Sequence, residues 1–202
     1  MRMRLFVAVD IDDVTRRRIE RTTDGVRHVM ERPRSPVRIA WVPPDRLHLT
    51  LQFVGEVRDD VGGEIAVCLE APFDQSPFEL RFGPLGMFPP TGPPRVVWLG
   101  LEQGARELAS LQAAVARRLE RIEFRRELRP FAPHLTLGRI KEGGTRADRE
   151  RIAGARLEPV GRCTIDHVTL YRSRLSPRGP TYMPLASTPL VGPPLSSPER
   201  VR

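Results

Sequence analysis

The stretch RLHLTLQFVG, residues 46–55, alternates a histidine and a threonine with leucines. In an extended chain successive side chains point to opposite faces, so His48 and Thr50 share one face while Leu49 and Leu51 share the other. The centre of the stretch returns 86 residues later as PHLTLGR, residues 133–139, where His134 and Thr136 stand against Leu135 and Leu137. Alone, either histidine reads as a half-exposed strand residue bonded to a neighbour. Two of the four histidines in one His-Leu-Thr-Leu frame form a repeat. It reads as two halves of one site, or as the mark of two related lobes without catalysis.

Around the two motifs the chain alternates strand and helix patterns. RLFVAVDI (4–11) reads as a strand, with Asp12 and Asp13 as caps for a helix over about 13–31 that turns Ile19, Thr22, Val26 and Val29 or Met30 to one side. RIAWVP (38–43) and LHLTLQFVG (47–55) read as strands about a PPD turn, followed by a helix over 58–71 weakened by Gly62 and Gly63. FELRFGPLGMF (78–88) and RVVWLGL (95–101) read as strands flanking PPTGPP. Leu108, Leu111, Val115, Leu119 and Ile122 then form a helical stripe. HLTLGRI (134–140), a short charged helix near 145–155, and the strand pair CTIDHVTLYRS (163–173) and TYMPL (181–185), joined by RLSPRGP, complete the pattern. Two similar batches of this kind predict an α+β or α/β domain of two related lobes over residues 1–186. STPLVGPPLSSPERVR (187–202), with four prolines and little to bury, reads as a disordered tail.

The 202 residues suffice for one domain with a sizeable core. A net charge of +8 favours partners that carry phosphate. Lys141 is the only lysine, so 32 of the 33 basic residues are arginine, a bias that genomic base composition explains as readily as an anion-binding surface. No apolar run approaches the ~20 residues of a membrane span. The start MRMRLFVAVDIDD turns acidic too early for a signal peptide, so a cytoplasmic protein is expected. Cys68 and Cys163 lie in apolar segments without a Cys or His at ligand spacing, and read as reduced and structural.

Opening a cyclic phosphodiester by hydrolysis needs a base for water and an acid for the departing oxygen, on opposite sides of phosphorus. Two histidines suit both roles near neutrality, and the threonine two residues along each strand has a hydroxyl to donate to a non-bridging phosphate oxygen. The scheme requires no metal or other cofactor, and neither motif has a carboxylate-rich cluster beside it. Arg139 lies five residues after His134, an odd spacing that turns it to the opposite face unless the strand bends at Gly138. Phe6, Phe88, Phe131, Trp41, Trp98, Tyr171 and Tyr182 are the aromatic candidates for stacking on a base, although most read as core. His28 and His167 read as structural or solvent-facing. Gly143, Gly144 and Thr145 lack the lysine of a phosphate loop, and there is no Rossmann glycine fingerprint.

Taken together, RLFVAVDI, WVPPDRLHLTLQFVGEV, PPRVVWLGL, FAPHLTLGRI and VTLYRSRLSPRGPTYMPL resemble the two-histidine phosphoesterase superfamily. Within it they resemble the bacterial and archaeal RNA 2′,3′-cyclic phosphodiesterases once described as 2′-5′ RNA ligases. The resemblance implies a bilobal α+β fold with pseudo-two-fold symmetry, in which antiparallel sheets with flanking helices each bring one motif strand to a central cleft. It implies metal-independent hydrolysis of RNA 2′,3′-cyclic phosphate ends to 2′-phosphates, with His48 as proton donor to the leaving 3′ oxygen and His134 as proton acceptor from water. Thr50, Thr136 and Arg139 take the phosphate, and Phe6 and Tyr182 are the favoured rings for a terminal base. The expected partner is such an RNA end or a small cyclic nucleotide, met by a monomer away from membranes. A phosphoesterase for 2′-5′-linked or small cyclic nucleotides, with ligation as its reverse, and a non-catalytic RNA-binding module are the alternatives.

Overall fold

The computed structural model describes residues 1–31, 36–122, 124, 130–155, 159–176 and 179–192. Among these residues nine strands follow in chain order: β1 (Arg2–Asp10), β2 (Arg38–Trp41), β3 (His48–Arg58), β4 (Phe78–Phe88), β5 (Val96–Gln103), β6 (Leu135–Glu142), β7 (Arg162–Ile165), β8 (His167–Arg174) and β9 (Thr181–Pro189). They form one sheet in the order β3-β1-β8-β9 and a second in the order β2-β6-β5-β4-β7. Every ladder between them is antiparallel. The helices are α1 (Asp13–Met30), α2 (Asp59–Glu70), α3 (Ala105–Glu120) and α4 (Arg146–Ala153).

Local chemistry sets the helix ends. Asp12, in extended conformation, accepts the Thr15 backbone N–H at 2.8 Å and satisfies one of the donors a helix start leaves open. Below this cap α1 buries Ile19, Thr22, Val26 and Met30, so the stripe runs through Met30 and not Val29. Helix α3 buries Leu108, Leu111, Val115 and Leu119. It ends at Glu120, and Ile122 packs on the core from the turn beyond. Thr145 and Asp148 cap α4 reciprocally.

The two lobes are not the two halves of the chain. The first sheet joins β1 and β3 to the C-terminal β8 and β9, and β2 crosses over to the edge of the second sheet. Helix α1 follows a strand of the first sheet yet packs on the second, where Val26 and Met30 meet Met87 and Val97 beside Ile152 of α4. Helix α2 lies against β1, β3 and β9. The leucines of both motifs, Leu49, Leu51, Leu135 and Leu137, belong to one common core. Burying each contributes about 1.5–3 kcal/mol, which anchors both motif strands from behind.

Two expectations need correction. CTIDHVTLYRS is two strands: β7 pairs with β4 in the second sheet and β8 pairs with β1 and β9 in the first. The buried apolar positions explain the break, since Cys163 and Ile165 are odd-numbered while Val168 and Leu170 are even, the buried Thr169 between them being turned to Asp10. The inward face thus slips by one residue at Asp166. The boundary expected at residue 186 is also too early. Strand β9 runs to Pro189, Thr188 donates its hydroxyl to the Leu69 carbonyl at 2.6 Å, and Leu190 bridges to Phe73. Residues 193–202 of the expected tail lie outside the described residues.

Both cysteines are free thiols. Burial pushes Cys163 up to about 12, and its sulfur accepts the Asp12 N–H at 3.4 Å. Among the described residues no helix is long and apolar enough to cross a membrane.

Candidate active site

Strands β3 and β6, one from each sheet, lie against each other and carry the two motifs. Both strands contain a bulge at the same place. In β3, Thr50 pairs with Ala8 and Gln52 with Val7, leaving Leu51 as the extra residue. In β6, Thr136 pairs with Trp98 and Gly138 with Val97, leaving Leu137 extra. Burial follows the same course over six residues in each: histidine partly exposed, leucine buried, threonine partly exposed, then two buried positions and one exposed.

The bulge settles where Arg139 points. An extra residue reverses the alternation, so Leu137 and Gly138 both turn inward and Arg139 returns to the face of Thr136. The expected bend at Gly138 is therefore a bulge centred one residue earlier. Gly138 is needed for close approach: a Cβ there would stand 2.6 Å from Ile39 and 2.9 Å from Trp41. The matching position after the first bulge is Phe53, 55% exposed and in register with Phe6.

Each histidine is held by the carbonyl two residues before it. His48 Nδ1 lies 2.8 Å from the Arg46 oxygen and His134 Nδ1 2.7 Å from the Ala132 oxygen. A carbonyl only accepts, so both Nδ1 atoms carry hydrogen and Nε2 is the nitrogen left to exchange protons. Rings fix the imidazoles from the side. Phe6 lies 4.8 Å and Tyr182 5.2 Å from His48 between centroids, and Phe88 lies 4.9 Å from His134 with Trp98 behind it. The hydroxyls of Thr50 and Thr136 bond to no other described residue.

Electrostatics separates two otherwise similar histidines. Burial lowers the pKa of both, and each carbonyl bond works against that. His48 also feels the Asp10 carboxylate, which favours its protonated form, whereas His134 feels the Arg139 guanidinium, which disfavours it. Asp10 ends β1 directly opposite His48 in register. Its carboxylate accepts from the Tyr171 hydroxyl at 2.6 Å and the Thr169 hydroxyl at 2.8 Å, with His167 Nε2 at 3.5 Å.

The structure thus brings His48, Thr50, Phe6 and Tyr182 together on the first sheet, and His134, Thr136 and Arg139 on one face of the second. Phe6 is not a platform for a base. It is 4% exposed, with its ring taken up by His48, Tyr171 and Tyr182. Trp41 pairs instead with Glu31 and Arg27, and Phe131 packs on the core. His28 is exposed on α1, while His167 joins Asp10 and Asp166. Asp10 and Arg46 are site residues that the sequence reading does not single out, and Tyr171, a stacking candidate there, instead donates its hydroxyl to Asp10. Asp10 had a signal: on β1 it alternates with the inward Val7 and Val9 and shares the face of Phe6. Among the described residues no three His, Cys, Asp or Glu side chains converge as a metal site.

The profile of the 2′-5′ RNA ligase superfamily matches residues 17–176. An RNA 2′,3′-cyclic phosphodiesterase of Archaeoglobus fulgidus is 36% identical over 184 residues, covering 91% of this chain and 98% of its own. A crystal structure from Thermus thermophilus superposes with a TM-score of 0.74 at 29% identity, covering 94% of this chain and 99% of its own. LigT of E. coli complexed with 3′-AMP superposes with a TM-score of 0.70 at 27% identity, with the same coverage.

Proposed function

This chain belongs to the 2′-5′ RNA ligase superfamily, and on that premise we propose that it hydrolyses RNA 2′,3′-cyclic phosphodiester ends to 2′-phosphates without a metal. The carrying observation is that both motif histidines are locked through Nδ1, which leaves Nε2 on the face of a threonine whose hydroxyl has no described partner. Water attacks phosphorus as His134 Nε2 removes its proton. The bond from phosphorus to O3′ breaks, and His48 Nε2 delivers a proton to O3′, leaving a 3′-hydroxyl and a 2′-phosphomonoester. Thr50, Thr136 and Arg139 hold the non-bridging oxygens as charge gathers on them. Asp10 beside His48 and Arg139 beside His134 support this division into acid and base. Tyr182 is the ring offered to the terminal base.

All these groups come from one chain, which fits action as a monomer. A nucleoside monophosphate in the E. coli neighbour favours single nucleotides as a second substrate class, by the same two histidines.

The deciding experiment is incubation with a short RNA ending in a 2′,3′-cyclic phosphate, with and without EDTA. A 2′-phosphate formed at equal rate in both is expected; a 3′-phosphate reverses the choice of leaving oxygen, and EDTA sensitivity overturns metal independence. The kcat/KM profile is a bell whose limbs both lie below the ordinary histidine range, because burial lowers both groups. Asp10→Asn removes the charge that favours protonated His48, so the alkaline limb, where the acid loses its proton, moves to lower pH. Movement of the acidic limb instead assigns His48 as the base.

A further inference from the structure

Beyond the cyclic phosphate, the first sheet carries a second basic face that the proposed chemistry leaves unused. Arg4, Ser173 and Tyr182 stand in one cross-strand row over β1, β8 and β9, on the face of Phe6 and His48. Arg46 reaches the same place from the single 3-10 turn at Pro44–Arg46: its Nη1 lies 3.0 Å from where a Cβ on Gly179 would stand, three residues before Tyr182. Burial raises the Tyr182 phenol, and the charges of Arg139, Arg46 and Arg4 work against that rise.

None of the three has an ion-pair partner among the described residues. Glu56 lies opposite Arg4 in register and Asp45 precedes Arg46, yet neither pairs with them. Other exposed arginines with a carboxylate at hand do pair with it, as Arg38 does with Glu142 and Arg81 with Glu102 at 3.1 Å. Unpaired guanidiniums gathered on one face concentrate a field for an anion. With Arg139 assigned to the cyclic phosphate, Arg4 and Arg46 remain beside Tyr182.

We propose that Arg4 and Arg46, with the Ser173 hydroxyl, form a subsite for the last internucleotide phosphate of an RNA strand, the one on the 5′ oxygen of the terminal nucleotide. This rests on the cyclic phosphodiesterase reading. A terminal base against Tyr182 places its ribose between the two histidines and its 5′ oxygen toward this pair. The subsite distinguishes the end of a strand from a free 2′,3′-cyclic nucleoside, which has no phosphate there.

The test compares a 2′,3′-cyclic nucleoside monophosphate with the same compound carrying a 5′-phosphate. In the unaltered protein the 5′-phosphate raises kcat/KM about tenfold, through KM and more steeply at low salt, as a charge-assisted guanidinium contact does. In Arg4→Gln/Arg46→Gln the gain disappears, and in Arg46→Lys part of it remains. Because the readout is a ratio of two substrates on one sample, partial misfolding does not mimic it. Equal rates on both substrates in the unaltered protein overturn the subsite alone, as does a gain that survives the double substitution. Failure to hydrolyse both compounds and a short RNA ending in a 2′,3′-cyclic phosphate overturns the activity, and the subsite with it.

Discussion

Replacing His48 by alanine lowers single-turnover hydrolysis of an RNA 2′,3′-cyclic phosphate by about 10²–10⁴-fold, and replacing His134 does the same, the range general acid–base groups supply. The two act in one step, one taking the proton of water as the other delivers a proton to O3′. The double substitution therefore costs little more than either alone, since groups that act as a unit are far from additive. His48 packs against Phe6 and Tyr182, so His48→Gln and His134→Gln, which keep more of the side-chain volume, separate lost chemistry from lost packing. Full activity in any of the four single substitutions removes that histidine from the mechanism.

Arg139→Ala follows with an expected loss of about 10²–10³-fold in kcat, comparable to removing one donor from an oxyanion site. Arg139→Lys recovers only part of it, because a point charge lacks the planar fork that meets two phosphate oxygens. The substitution to alanine has a second signature. Arg139 holds the His134 pKa down beyond the effect of burial, so its loss raises that pKa and moves the acidic limb, where the base gains its proton, to higher pH. A rise in KM at unchanged kcat places Arg139 in ground-state binding instead.

The contrast between the motifs shows how much of the site was legible. His48, Thr50, His134 and Thr136 were readable because side-chain alternation is a local, period-two property and leucines at the intervening positions mark the buried face. Arg139 is readable as a candidate only on condition of a bend, because the bulge at Leu137 that turns it is set by pairing with β5 and leaves only a faint local trace, a glycine after the second leucine. Phe6 was drawn toward the ligand by its place in RLFVAVDI, whereas three neighbouring rings from β3, β8 and β9 enclose it. The split of CTIDHVTLYRS at Asp166 was legible in principle, from the switch of apolar positions from odd to even.

By itself the sequence determined two amphipathic motif strands, each presenting a histidine and a threonine together, because these depend on alternation and burial along a few residues. Tertiary structure alone decided that β1 and β3 share a sheet with β8 and β9, and so brought Asp10 opposite His48 with Tyr171 and Thr169 as its donors. It also decided that Arg139 faces His134 and that Arg4 and Arg46 meet around Tyr182. Long-range register sets which charge stands beside which titrating group, and charge acts through space, with no regard for separation along the chain.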